Sequence, residues 1–386
     1  MGTKGIRIGY DGKRAVENMT GLGNYSRVVV GTLSALYPDN EYVLLAPRER
    51  ENPRLEPLLM RSNVSVHTPA GLWRHAGALW RSAAIAGDIR GLGLDLYHGL
   101  SNELPLTAGI AGCPTVLTVH DLIWRRSPRD YAAADRALYE FKYRRSARAA
   151  TRVIAISECT RRDLMADWGI PEEKIDVIYQ GCDPIFSRVV TYEDRQRVRE
   201  TYRLPARYII TVGTVQPRKN QLLAVKALES LPADVVLVIA GSDKRGYKAE
   251  IEAYAAAHGL ESRLRWLTGV PFADLPALYA CAELSSYTSR YEGFGIPVVE
   301  SLSVGTPVVA CTGSCLEEAG GAGALYVDPD DVRGYAEAAA SILAHRFLHD
   351  RLAAAGRRHV AAFTPKNLAE KTMQTYTKAI LDFNLK

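Results

Sequence analysis

The chain has 386 residues, of which 47% are hydrophobic and 24% charged, a composition typical of a soluble globular protein with two domains. No apolar run is long enough to span a bilayer, and the first residues predict a strand rather than a signal peptide. The six cysteines lack metal-site spacing, so we expect reduced, packed thiols in a cytoplasmic protein. The net charge of +5 is modest, and no module that binds nucleic acid is indicated.

A strand, a glycine loop and a helix open the chain. Residues 6–10 predict the strand, the loop ends at residues 20–25, and apolar residues from Tyr25 to Leu36 recur at helical spacing. In an α/β sheet, a glycine loop at this place often faces a ligand. Read alone, the loop is equally typical of a plain turn.

The next informative stretch is a continuous apolar strand at residues 115–119, suited to a sheet that is covered on both faces. His120 and Asp121 follow at its carboxyl end, where α/β sheets bind ligands. By position alone, a histidine there is more often a packed side chain than a functional one. In the functional interpretation it orients a substrate hydroxyl, and Asp121 fixes the imidazole tautomer.

Two stretches of the first half are compatible with contact with a membrane surface. Residues 125–162 carry 11 Lys/Arg against four Asp/Glu, an excess of seven positive charges. Trp73 and Trp80 lie among basic residues, as aromatic side chains do at a membrane interface. The alternatives are an ordinary solvated helix face and two packed tryptophans.

A second domain is expected to begin after a junction near residues 185–200. It opens with a strand at 208–213 and a loop that carries Arg218 and Lys219 just before a helix. Arginine offers a planar fork to two phosphate oxygens, and lysine a point charge. Two cations therefore suit a diphosphate leaving group and can replace a metal ion in stabilising it. Surface charges at a helix start are the alternative.

The stretch 288–300 predicts a strand end, a glycine loop and a helix, with Pro297 in the first helical turn. Glu292 precedes the helix, and Glu300 lies eight residues further along within it. Glu300 is placed to accept hydrogen bonds from the two hydroxyls of a ribose. Backbone amides at the positive end of the helix would face an anion, namely those of Phe294, Gly295 and Ile296.

This pattern carries a family resemblance. Glu292-Gly-Phe-Gly, then Glu300, then Gly-Thr-Pro-Val-Val-Ala resembles the E-x7-E signature of retaining GT-B glycosyltransferases of family 4. The resemblance implies two Rossmann-like, doubly wound parallel-sheet α/β domains that face a cleft, and the alternation of strands and helices predicts such domains independently. The implied domains are an acceptor-binding domain at 1–187, to which a helix at 366–386 crosses back, and a nucleotide-sugar-binding domain at 195–365.

The resemblance also implies roles for individual residues. Glu292 contacts the transferred sugar, Glu300 binds the ribose, and His120 lies beside the sugar and the acceptor. The remaining residues that it assigns to the donor are Gly23 and the 294–296 amides near the phosphates, Arg218 and Lys219 at the diphosphate, and Val270, whose main chain contacts the base.

The implied reaction moves a hexose from a nucleotide diphosphate to a hydroxyl of a saccharide or lipid-linked saccharide, at the inner face of the cytoplasmic membrane. No metal or other cofactor is expected, since no DxD-like carboxylate pair follows a strand. The stretches at His120 and at 157–164 resemble bacterial O-antigen and capsule mannosyltransferases, which implies GDP-mannose; UDP-glucose is the alternative. A non-catalytic sugar-nucleotide-binding protein is a further alternative, whereas a dinucleotide-dependent oxidoreductase would need a G-x-G-x-x-G motif after the first strand.

Overall fold

Two parallel β-sheets organise the chain, one in each of two units. The computed structural model describes residues 5–19, 21–243 and 246–385. The first unit comprises Met1–Gly181 with Pro365–Lys386, and the second comprises Cys182–Thr364.

The first sheet has seven strands, in the spatial order β3-β2-β1-β4-β5-β6-β7. Its strands are β1 (Arg7–Asp11), β2 (Glu41–Leu45), β3 (Val64–His67), β4 (Leu96–Gly99), β5 (Thr115–Val119), β6 (Arg152–Ala155) and β7 (Ile175–Val177). The second sheet has six strands, in the order β10-β9-β8-β11-β12-β13. Its strands are β8 (Arg207–Val212), β9 (Val235–Ala240), β10 (Leu264–Leu267), β11 (Leu284–Tyr287), β12 (Val308–Cys311) and β13 (Ala324–Val327).

The α-helices alternate with these strands along the chain. Those of the first unit are α1 (Lys13–Glu17), α2 (Gly21–Leu36), α3 (Glu56–Leu59), α4 (Gly77–Leu79), α5 (Ile85–Gly91), α6 (Ile123–Arg126), α7 (Ala133–Ala149) and α8 (Glu158–Trp168). Those of the second unit are α9 (Tyr192–Tyr202), α10 (Gln221–Ala227), α11 (Tyr247–Ala257), α12 (Leu275–Cys281), α13 (Ile296–Val304), α14 (Leu316–Gly320), α15 (Val332–Ala344) and α16 (Arg346–Val360). The last helix, α17 (Pro365–Asn384), returns to the first unit. Among the residues that the structure describes, no helix is both long and apolar enough to cross a bilayer.

The apolar runs of the strands are explained by burial on both faces. In β2, Tyr42 and Leu44 join one apolar cluster of the first unit, whereas Val43 and Leu45 join another. Successive side chains of a strand point to opposite faces, so the two clusters lie on the two sides of the sheet. The predicted fold class of two doubly wound α/β domains is confirmed.

Strand order reverses once in each sheet, between β1 and β4 and between β8 and β11. In doubly wound sheets the loops beyond the carboxyl ends of such strands form the ligand crevice. In the second unit, those loops are 213–220 after β8 and 288–295 after β11, which contain the residues singled out by the sequence.

Local contacts explain where the units divide. The turn-rich segment 182–187 belongs to the second unit, because Cys182 N donates to Phe363 O at 2.8 Å and the Phe186 ring packs against Tyr279. In the first unit, α17 packs on α2, and Tyr376 is fully buried. All six cysteines are buried and unbridged.

A buried polar network ties α17 to the first sheet, and replacing Tyr376 tests its contribution. Tyr376 OH lies 2.7 Å from His98 Nδ1, while His98 Nε2 lies 2.9 Å from Thr118 Oγ1. Tyr376→Phe leaves a buried ring nitrogen without its partner, so we expect a loss of about 1–3 kcal/mol of unfolding free energy in urea titration. Thr377→Ala, on the exposed side of the same helix, is the matched control. Equal losses in both variants would contradict this account.

Candidate active site

The loop after β8 presents two cations on a rigid turn. Arg218 and Lys219 lie in a single 3-10 turn, Pro217–Lys219, which ends at Asn220 with φ of +53°. Thr288 Oγ1 donates to the carbonyls of Lys219 at 3.1 Å and of Asn220 at 2.9 Å. The loop after β11 therefore holds the turn that positions both cations.

The carboxylate of Glu292 is the acceptor on which these cations converge. Its Oε1 lies 2.8 Å from Arg218 Nη1 and 2.5 Å from Ser289 Oγ, and it also accepts from Lys219 Nζ. Burial by itself raises the pKa of Glu292, but Lys219 and Arg218 outweigh burial and lower the pKa to about 2. Within the described residues, Oε2 accepts no hydrogen bond, so this oxygen can receive a ligand hydroxyl.

The side chains of the two cations are largely buried, but each keeps a small accessible surface. The side chains of Arg218 and Lys219 keep 9% and 15% of their accessible surface. Lys219 Nζ also donates to Tyr287 OH at 2.7 Å. Burial lowers the pKa of Lys219, and the attraction of Glu292 opposes that shift. The arrangement keeps positive charge where an entering anion can meet it.

Glu300 is also a buried carboxyl, but its surroundings differ from those of Glu292. It lies in the second turn of α13, and its Oε2 accepts a hydrogen bond from Tyr279 OH at 3.3 Å. Burial, together with the negative charge of Asp183, raises the pKa of Glu300 to about 7, although the bond from Tyr279 opposes the rise. Among the described residues no cation pairs with this carboxylate as Arg218 pairs with Glu292, so its ionisation is costly at neutral pH.

Helix α13 begins directly after this cluster. Gly295 precedes its first turn with φ of +105°, a conformation that L-residues with side chains rarely adopt, and an added Cβ would lie 2.8 Å from Leu316. Ile296 is the first helical residue, and Pro297 follows it. The first amides of an α-helix have no acceptor within the helix, so this end carries positive potential. The Phe294 ring is packed against Phe363, 5.4 Å between centroids.

The first unit carries His120, directly after β5. Its Nε2 lies 2.9 Å from Leu100 O, its backbone N donates to Asn102 Oδ1 at 2.7 Å, and Tyr25 packs edge-on against the ring. The Leu100 carbonyl therefore places the ring proton on Nε2, and Nδ1 accepts from Gln180 Nε2 at 3.4 Å. Asp121 Oδ1 accepts from Ile123 N at 3.0 Å. Burial lowers the pKa of His120 to about 4, against the effect of the Leu100 bond.

Two family models match the chain and between them span most of it. The model described as glycosyl transferases group 1 matches residues 193–359, and the model described as glycosyltransferase family 4 matches residues 21–186. The chain belongs to the family 4, group 1 glycosyltransferases. The predicted transferase activity is thereby confirmed.

Individual proteins support the same assignment. The chain is 29% identical to the O-antigen chain mannosyltransferase B of Escherichia coli over 288 residues, 73% of this chain and 74% of that protein. It is 30% identical to the MMP alpha-(1->4)-mannosyltransferase of Mycolicibacterium hassiacum over 285 residues, 70% of this chain and 66% of that protein. A crystal structure of Anabaena HepE in complex with UDP and glucose matches with a TM-score of 0.75 at 20% identity, covering 97% of this chain and 100% of that one. The GT-B fold is confirmed.

In this glycosyltransferase, the loop expected around Gly23 is a helix instead. α2 begins at Gly21, and the short helix α1 fills the segment after β1, so the prediction of a glycine loop at 20–25 was wrong. A Cβ on Gly23 would lie 1.9 Å from Asn18 O, so close packing explains why a glycine stands at this position. Close approach of α2 to the preceding segment produces the same sequence signal as a ligand loop.

The structure brings some predicted residues into contact and not others. Arg218, Lys219 and Glu292 touch one another, whereas Val270 lies in the loop after β10, two strands away from β8 in the sheet order. Sequence reasoning missed Ser289, although a serine three residues before Glu292 in a tight turn was a usable signal. Tyr279 and Tyr287 were also missed, since only the fold brings the hydroxyl of Tyr279 to Glu300 and that of Tyr287 to Lys219.

Sequence reasoning also missed an ion-pair cluster at the strand-order reversal of the first unit. Arg81 donates to Asp11 at 2.6 Å and to Glu103 at 3.0 Å, and Lys142 donates to Glu103 at 3.1 Å. Asp11 ends β1, and Glu103 follows β4. These residues are up to 131 positions apart in sequence, so no local motif reveals the cluster.

The neutral state of His120 is directly measurable. We expect its imidazole signals, assigned by their loss in His120→Asn, to stay constant from pH 8 to pH 5 and to shift only near pH 4, because burial disfavours the cation. A change of turnover between pH 6 and pH 7 would therefore not arise from this residue. An NMR midpoint near the ordinary value of 6.5 would contradict the assignment.

Proposed function

We propose that this glycosyltransferase moves mannose from GDP-mannose to a hydroxyl of a saccharide or lipid-linked saccharide, with retention at the anomeric carbon and without a metal ion. The product would belong to a polysaccharide or glycolipid that is made at the cytoplasmic face of a membrane. The observation that carries the proposal is the convergence of Arg218, Lys219 and Glu292 at the strand-order reversal of the second sheet.

The donor diphosphate is the ligand that this charge pattern fits best. Arg218 presents a guanidinium and Lys219 an ammonium from one rigid turn, and the amides at the start of α13 add further donors. These groups stabilise the charge that develops on the departing diphosphate, which is the role a divalent ion has in other transferases. Glu300 accepts hydrogen bonds from the ribose hydroxyls once it is ionised.

The environment of Glu292 favours hydrogen bonding to the sugar over nucleophilic attack. Three donors occupy Oε1 and hold the pKa near 2, which makes the carboxylate a weak nucleophile. Oε2 remains to accept a bond from a sugar hydroxyl. In the proposed step, the acceptor oxygen bonds to the anomeric carbon on the face that the diphosphate leaves. The bond between that carbon and the phosphate oxygen breaks, and the acceptor proton passes to the phosphate.

His120 has a separate part in this proposal. Its Nδ1 is an acceptor on a neutral ring and is contacted by Gln180 Nε2 at 3.4 Å, so a hydroxyl of the sugar or the acceptor would replace this long contact to be oriented by the ring. The relatives named as mannosyltransferases support mannose, whereas the UDP and glucose of the HepE complex support the alternative of a UDP-glucose donor.

Turnover with defined donors tests the proposal. We expect the enzyme to release GDP from GDP-mannose in the presence of a mannose-containing acceptor, with full activity in EDTA and an α-linked product by NMR of the anomeric proton. Release of UDP from UDP-glucose alone would favour the alternative donor. Nucleotide binding without any turnover across both donors and a panel of saccharide acceptors would favour the non-catalytic alternative.

A further inference from the structure

The basic excess of residues 125–162 is not spread evenly over the surface. Ion pairs with carboxylates engage Arg125, Arg126, Lys142, Arg152 and Arg161. By contrast, the last two turns of α7 carry Arg144, Arg145 and Arg148, and none of these has a carboxylate within 4 Å among the described residues. Arg129 and Arg136 also lack an ion pair among the described residues, but Arg144, Arg145 and Arg148 are the three that lie together at the end of α7.

These arginines line a groove whose remaining lining is mostly apolar. The groove has a volume of about 980 Å³ and runs between α7 and the loop 106–110. Phe141 and Ile110 are 62% and 63% exposed there, and Leu106 is 41% exposed. Large apolar side chains so exposed on adjacent elements form a patch of the kind that marks an interaction surface.

The shape of the groove is fixed by hydrogen bonds between its two walls. Ser146 Oγ accepts from Leu104 N at 2.9 Å, and Arg145 Nη2 donates to Leu106 O at 3.2 Å. Two polar atoms of its lining, Thr107 Oγ1 and Arg144 Nε, are buried and have no hydrogen-bond partner among the described residues. The acidic residue in the lining, Glu140, is already engaged by Arg125 at 2.8 Å and by Trp168 Nε1 at 3.0 Å.

We propose that this groove docks the first unit on a membrane that contains anionic phospholipid. An acyl chain would contact Phe141, Ile110 and Leu106, and the lipid phosphate would accept hydrogen bonds from the arginines. Arg145 and Arg148 each donate to a backbone carbonyl, but neither has a carboxylate partner among the described residues. Exposed apolar side chains beside such arginines match an amphiphile of negative charge. A soluble acidic protein would leave the apolar walls uncovered, and a neutral lipid would leave the arginines without an anionic partner.

The other stretch that the sequence suggested for a membrane contact is less suitable. Trp80 is buried, and its Nε1 donates to Asp88 Oδ2 at 2.7 Å, so this side chain is part of the core. Only Trp73 of that pair is exposed, and it lies in a 3-10 turn that does not line the groove. The groove at α7 therefore carries the proposal alone.

Co-sedimentation with vesicles tests the proposal on the intact chain. We expect binding to vesicles of phosphatidylglycerol and phosphatidylcholine, little binding to phosphatidylcholine alone, and weakening as salt rises. The triple variant Arg144→Gln, Arg145→Gln, Arg148→Gln should bind about 10²-fold more weakly. The double variant Ile110→Ser, Phe141→Ser should also lose affinity at unchanged net charge, and its exposed positions leave folding intact.

A charge-matched control separates this surface from net charge. Arg333→Gln, Arg346→Gln and Arg358→Gln together remove the same charge from exposed positions of the second unit. Vesicle binding should be unchanged in this control. Equal weakening in the control, absence of wild-type binding to anionic vesicles, or a double variant that binds like wild type would each overturn the proposal. Vesicle binding is measured without any donor sugar, so its outcome is independent of the proposed mannosyl transfer.

Discussion

Arg218→Ala is expected to lower kcat/KM for glycosyl transfer by about 10²–10³-fold, the usual effect of losing one preorganised group that stabilises developing charge. The substitution has two effects, and both lower activity. The departing diphosphate loses a guanidinium, and Glu292 loses a partner that lies 2.8 Å from its Oε1. Steady-state kinetics with saturating acceptor and varied donor measure the loss.

Two further variants show whether the geometry of Arg218 matters beyond its charge. Arg218→Lys keeps the charge but removes the planar fork, so we expect it to recover only part of the activity. Arg333→Ala, an exposed arginine of the same unit, should keep full activity. If Arg218→Lys had the same kcat/KM as the wild type, the planar fork would have no role. If Arg218→Ala had the same kcat/KM as the wild type, the donor site would lie elsewhere.

Glu300→Gln is expected to weaken donor binding by about 10–150-fold, because hydrogen bonds to a charged group contribute roughly 1.5–3 kcal/mol. The glutamine keeps the size of the side chain and one acceptor oxygen, so the difference isolates the carboxylate. Isothermal titration with the nucleotide diphosphate at pH 8 measures the change. Unaltered affinity would remove Glu300 from the ribose site.

The pKa of Glu300 adds a pH dependence with a definite sign. Binding through the carboxylate requires ionisation, so affinity for the donor should fall as the pH drops below about 7, by up to tenfold per pH unit. In the unliganded protein, the contribution of Glu300 to folding stability depends on pH in the opposite direction. A folded-state pKa above the ordinary 4.5 of an acid favours folding at low pH, and this contribution is lost as the pH rises through 7. Glu300→Gln should therefore bind with little pH dependence and be more stable than wild type at pH 8.

The sequence predicted those parts of the fold and site that depend on local patterns. Continuous apolar strands such as β5, and the alternation of strands with helices, were sufficient for the doubly wound class. Arg218, Lys219 and Glu292 could be selected because each lies in a short loop between a strand and a helix. Their direct contact over 70 or more residues of sequence follows from the neighbouring positions of β8 and β11.

The features of the fold and the site that the sequence could not predict depend on long-range packing. The difference between Glu292 and Glu300 is one example, because two cations reach the first while a tyrosine and Asp183 lie near the second. The groove at α7 is another, since the basic run gave no sign of which arginines find carboxylates elsewhere in the fold. At Gly23, the predicted loop is a helix that lies against the backbone of Asn18, a contact that no local pattern shows, and its donor-binding role stays a prediction.

Binding of nucleotides to the wild type and to Arg218→Ala tests the central claim most directly, since it requires neither an acceptor nor turnover. Thermal unfolding is followed with GDP, UDP, ADP and their sugar conjugates, because a ligand that binds only the folded state raises its apparent stability. We predict a rise with GDP and GDP-mannose that is lost in Arg218→Ala. A rise with every nucleotide that persists in the variant, or no rise with any of them, would contradict the assignment of the donor site to Arg218, Lys219 and Glu292.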